Sequence, residues 1–220
     1  MSDQIFASLE KTENLNKELL SLSKRVAKAG DVFHVDIMTM AVVNRSLELS
    51  EGFKLLIEDR KFLCAAPLLR LQIDNLLRYS ATWLVERPDE FVAEVMKGTA
   101  IRKLKDASGN KMFDAFLVEK LSANIPWIPK VYEKTCGYVH LSESHFHHVF
   151  SENDEGKFSI GIGSYSNDVP DSIFLEAVEA FNATTYEICK YVYGWLKTKD
   201  GSIDLAAHNK KIHPTPKSRD

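Results

Sequence analysis

The sequence predicts an all-α fold, a helical bundle with a small β-hairpin appended near 146–162. Three observations carry that expectation. The stretch Arg60 to Arg87 is apolar around most of its circumference, with Leu68, Leu69, Leu71, Ile73, Leu76, Leu77 and Trp83, and a helix of that kind belongs at the centre of a bundle. Within it Arg70, Asp74 and Arg78 recur every fourth residue and so fall on nearly one face. Gly30 and Pro88 stand between the periodic stretches, where helices stop and start.

Residues 1–29 read as one helix, with Ile5, Ser8, Thr12, Leu15, Leu19, Leu22 and Val26 at three- and four-residue spacing. This helix either docks on the bundle or serves as a dimerising arm. After the break at Gly30 and Asp31 a second helix runs to about Asp59. The short join at Arg60 makes it the antiparallel neighbour of the organising helix, which places Arg45 near Asp74 and Glu48 near Arg70. Pro88, Asp89 and Glu90 form the first turn of a short helix to about Met96, because proline needs no amide partner there and acids favour the positive helix end. Gly98 to Asn110 is a polar, turn-rich loop carrying Arg102, Lys103 and Lys105, and Phe113 to Leu121 reads as another short helix.

Pro129 starts a helix in which Tyr132, Cys136 and His140 share a face. The runs HFHHVF and KFSIGIG flank an acidic turn and supply the expected hairpin. The last helix begins near Pro170, and Phe174, Ala177, Val178, Phe181, Thr185, Ile188, Val192 and Trp195 form its core-facing stripe. The chain therefore divides into a docking or dimerisation helix (1–29), a single bundle domain (30–197) and a polar tail (198–220).

Composition narrows the function classes. A formal net charge of -3 is wrong for a uniformly basic nucleic-acid coat, although it leaves room for a local basic cleft. Cys64, Cys136 and Cys189 lie far apart in apolar helical contexts, which suits buried thiols in a reducing compartment. The start MSDQIF lacks the features of a signal peptide, and no apolar run nears the length of a membrane span. A cytoplasmic chain with no membrane partner is expected.

Two constellations could carry chemistry. Arg45, Glu48, Asp74 and Arg78, with Arg70, form either an ion-pair lattice that fixes helix register or the wall of a pocket. His140, His145, His147 and His148 fall within nine residues, and histidine exchanges protons near neutral pH. Zinc on the His-x-His-His run is the alternative, but no spaced Cys or Glu motif completes a metal site there, so neither metal nor cofactor is expected.

The run NRSLELSEGFKLLIEDRKFLCAAPLLRLQIDNLLR, followed by YEKTCGYVHLS, resembles uncharacterised bacterial helical proteins that look like distant members of the HEPN superfamily. The resemblance covers roughly residues 42–144. It implies a compact helical bundle, a homodimer, and a metal-independent ribonuclease of the toxin or antiphage type, with RNA as substrate and a regulatory protein partner. The family's Arg-x4-6-His motif matches Lys134 to His140 in spacing, with lysine in place of arginine. Lysine offers a flexible point charge where arginine offers a planar fork. On that resemblance His140 and Lys134, with Arg70, are the catalytic candidates, and Arg45, Glu48, Asp74, Arg78, Tyr132 and His145 form the supporting polar network. The alternative is a non-catalytic helical dimer that binds a protein or a small ligand. Convergence discriminates the two: a cleft joining Lys134, His140 and Arg70 favours the nuclease, and a sealed charged row favours the binding module.

Overall fold

The structure is a computed structural model that describes residues 1–140, 142, 145, 150–152, 158–161 and 169–201. Among them are seven α-helices: α1 (Asp3–Lys28), α2 (His34–Glu58), α3 (Phe62–Ser80), α4 (Pro88–Met96), α5 (Asp114–Ser122), α6 (Ile128–Val139) and α7 (Asp171–Lys199). No helix among the described residues is long and apolar enough to cross a membrane. The class is all-helical, as the periodicity predicts.

Helix α3 is the hub, packing against α2, α5, α6 and α7, while α1 lies along α7 and also meets α2. Six of the seven periodic positions of α1 are buried, Leu15 being half-buried, so this helix covers the bundle core. The stripe of α7 is buried throughout. At the centre Phe53 of α2 stacks on Phe181 of α7 with ring centroids 4.4 Å apart, and Phe62 of α3 meets Phe174 edge-on at 5.3 Å.

Buried polar side chains set the register of the long helices. Gln72 Nε2 donates to Ser46 Oγ at 2.5 Å and to Thr185 Oγ1 at 2.9 Å, joining α3 to α2 and α7. Thr12 donates to Asn182 at 2.7 Å, and Asn182 Nδ2 donates to the Ser8 carbonyl at 2.8 Å. Such bonds form in one alignment only, and a slipped register would leave them buried and unmade.

The join between α2 and α3 rests on Arg60, whose φ of 54° is left-handed and uncommon for a residue with a Cβ. Its guanidinium donates to Asp171 Oδ1 at 2.5 Å and to the Val169 carbonyl at 2.8 Å, and lies over the Phe174 ring at 4.7 Å. The turn is thereby tied to the start of α7. The Arg60 hydrogen bond holds the Asp171 carboxyl below its usual range, against a smaller opposing effect of burial. A lowered carboxyl pKa contributes stability that is present at neutral pH and lost as pH falls through it. Asp171→Asn should therefore lower the melting temperature at pH 7, and the difference from wild type should vanish in acid, as read by thermal unfolding across pH.

Three expectations change. The organising helix ends at Ser80 and continues only as a 3-10 turn, Ala81–Trp83. Ser80 Oγ bonds back to the Leu77 carbonyl at 2.9 Å, and Pro88 disfavours a helical residue before it. Helix α2 begins at His34, two residues after the expected start at Val32, because the Phe33 amide is capped by Asp36 Oδ2 at 2.9 Å. Cys64 is exposed, leaving Cys189 as the buried thiol, its pKa pushed up to about 12 by burial. Most of the expected hairpin region, 146–162, lies outside the described residues. Within it, Phe150–Glu152 pairs antiparallel with Phe158–Ile160, a ladder of three residues that adds no layer to the fold. Residues 202–220, most of the expected tail, also lie outside the described residues.

Candidate functional site: a charged lattice and a groove on two flanks of one helix

Helix α6 packs on α3, and successive residues of α6 point to different flanks. Tyr132 and Cys136 face one way. Lys134, two residues from each, faces nearly the opposite way because two residues turn the helix by about 200°.

On the first flank lies the charged lattice. Arg45 Nη1 meets Asp74 Oδ2 at 3.2 Å, as the antiparallel register of α2 and α3 predicts. Arg78 Nε meets Asp74 Oδ1 at 3.1 Å, and Arg78 also bonds Asp114 at the start of α5. Arg70 reaches Asp114 Oδ2 at 3.5 Å and lies 4.1 Å from the centre of the Tyr132 ring, while the Tyr132 hydroxyl donates to Asp114 Oδ2 at 3.3 Å. Burial opposes the Arg70 charge, but the contact with Cys136 and the nearby Tyr132 and Asp74 outweigh it, so its pKa is raised. The expected partner Glu48 is exposed and accepts from Asn44 at 3.1 Å. Asp114 takes its place. Its only local signal is an acidic residue in a first helical turn, which does not announce a tertiary ion pair.

The lattice encloses Arg70, whose side chain is 12% exposed. A guanidinium already covered by a carboxylate, a ring and a thiol is poorly placed to meet a substrate phosphate. Its evident task is to clamp α5 and α6 onto α3.

On the second flank, α3, α6 and α7 enclose a groove of about 280 Å³. Its lining is apolar apart from Lys134, Thr135, Tyr138 and Glu176. At the rim Lys134 Nζ and Glu176 Oε1 are 2.8 Å apart, with side chains 53% and 55% exposed. Thr135 Oγ1 is turned back to the carbonyls of Val131 and Tyr132, at 2.7 and 3.1 Å. Burial raises the pKa of the Tyr138 hydroxyl, with Lys134 opposing and Glu176 adding to that rise.

The described histidines of the predicted cluster stand at the end of α6. His140 caps the helix in extended backbone, with φ -114° and ψ 148°, and is exposed. The predicted row Tyr132, Cys136, His140 is broken there, because the helix ends at Val139. His145 Nδ1 accepts from the Ser142 amide at 3.3 Å, and its ring lies 6.3 Å from that of Tyr138. His147 and His148 lie outside the described residues. Among the described residues no three His, Cys, Asp or Glu side chains gather as a metal site. Of the three catalytic candidates, Lys134 is thus joined to Glu176, Arg70 to Asp114 and Tyr132, and His140 to neither group.

No family model, curated protein or solved structure matches this chain.

Proposed function

We propose that the chain is a non-catalytic helical module that binds a small amphiphilic ligand in the groove between α3, α6 and α7. The supporting observation is the groove itself, an apolar concavity with one weakly held ion pair at its rim. Concave apolar lining with a few placed polar groups is the usual form of a small-molecule site. A half-exposed pair such as Lys134 and Glu176 contributes only about 0–1 kcal/mol and yields easily to a ligand. The enclosure of Arg70 supports the same reading, since it separates the arginine row from Lys134 and His140.

The test is calorimetric titration with 3-phenylpropionate and with phenethylamine, which carry one apolar body and opposite single charges. Wild type should bind at least one of them. Ala180→Phe, which fills the groove from α7, should weaken that binding at least tenfold while the fold is retained. Undiminished binding in this variant would place the ligand elsewhere.

A second reading is the metal-independent ribonuclease, acting as a homodimer under a protein partner's control. The exposure of both Lys134 and His140 near the end of α6 favours it. His140 would act as general base on a ribose 2′-hydroxyl or as general acid on the leaving oxygen, and Lys134 would stabilise the charged phosphorane after leaving Glu176. Under this reading a mixed RNA pool is cleaved in EDTA, and His140→Ala lowers the rate about 10²–10⁴-fold at matched folded fraction. Absence of cleavage leaves the binding module.

A further inference from the structure

We infer that the groove takes a zwitterion with an apolar body, a free apolar α-amino acid of about the size of phenylalanine, its carboxylate on Lys134 and its ammonium on Glu176. The inference rests on the reading of the groove as a ligand site and names what that site selects.

Size comes first. A cavity of about 280 Å³ lies just below the usual range of ligand pockets and suits one compact apolar group. Its floor combines Phe62 and Leu69 with Ala66, Ala177 and Ala180, and the alanines leave room where larger side chains would close it. Such a floor rewards apolar contact and offers no hydrogen bond to a polar body.

Charge decides the rest. Charged recognition falls on Lys134 and Glu176, because the other polar groups of the lining are the neutral Tyr138 hydroxyl and a Thr135 hydroxyl committed to backbone carbonyls within its own helix. An anionic ligand would take Lys134 and leave Glu176 facing a like charge beside an apolar surface. A cationic ligand would take Glu176 and leave Lys134 in the converse position. A zwitterion replaces one ion pair with two, and every charge stays paired. The two rim groups stand 2.8 Å apart, and the ammonium and carboxylate of an α-amino acid are joined through a single carbon. The two dipoles can therefore lie antiparallel at the mouth while the side chain enters the groove.

The experiment titrates the full chain with phenylalanine, N-acetylphenylalanine and phenylalanine amide, beside the two singly charged probes above. Phenylalanine should bind severalfold more tightly than either blocked derivative, the ratio that contacts to half-exposed charges support. Lys134→Met should abolish the preference over the amide, and Glu176→Gln the preference over the N-acetyl compound. Both side chains are half-exposed, so the fold should survive either change, which circular dichroism checks. If all five compounds bind alike and Ala180→Phe weakens them alike, the zwitterion inference is overturned and the groove reading stands. If none binds, both are overturned.

Discussion

Asp36→Ala is expected to destabilise the folded chain by about 3–5 kcal/mol, the range found when one member of a buried ion pair is removed. Asp36, in the first turn of α2, accepts from Lys199 Nζ at 2.8 Å, from Trp195 Nε1 at 2.7 Å and from the Phe33 amide at 2.9 Å. The side chains of Lys199 and Asp36 are 2% and 7% exposed. Lys199 also donates to the Val26 carbonyl at 3.2 Å, so one carboxylate holds together the end of α7, the end of α1 and the start of α2. Alanine removes the acceptor of the Trp195 indole N–H and leaves the buried Lys199 ammonium on the Val26 carbonyl without a counter-charge. The double variant Asp36→Ala/Lys199→Met should recover part of the loss, because the stranded charge is gone. Urea unfolding of the three proteins measures both effects, and a loss below about 1 kcal/mol for the single variant would show the pair to be far better hydrated than its burial implies.

Phe53→Ala should cost a comparable amount by a different mechanism. The Phe53 ring is wholly buried and stacks on Phe181 with an interplanar angle of 14°. Deleting it removes apolar burial and leaves a cavity between α2 and α7, and such changes cost about 3–5 kcal/mol. Leu55→Ala is the control: two residues further along α2, its side chain is 66% exposed, and surface changes of this kind stay within about 0.5 kcal/mol. The same denaturant series reads both.

The contrast between these two residues shows what the sequence makes legible. Phe181, the ring on which Phe53 stacks, lies in the stripe read from the sequence for the last helix, and α4 is recovered as Pro88–Met96 because proline and acids at its start are local signals. The pairing of Arg45 with Asp74 was legible too, since a short join between antiparallel helices fixes which residues lie side by side. Asp36 gave no such signal. Its partners Trp195 and Lys199 lie 159 and 163 residues away, and only the packing of α7 over α2 brings them to it.

The site divides along the same line. Arg70 and Arg78 were readable as a charged row, but Asp114, which neutralises both, belongs to a short helix whose approach to α3 no local pattern encodes. Glu48 was displaced for that reason. Lys134 was singled out for its spacing from His140, whereas the structure joins it to Glu176, across a helix crossing. The groove exists only because α6 and α7 stand apart over the alanines of α3 and α7. Small residues in a helical stripe look like ordinary core until the neighbouring helices are placed.

The most direct measurement is a backbone amide NMR titration of the wild-type chain with phenylalanine. Saturable shift changes are expected at Ala66, Leu69, Lys134, Thr135, Glu176 and Ala177, with Arg70, Asp74 and Asp114 unmoved. Changes centred on the arginine lattice, or no saturable change anywhere, would contradict it.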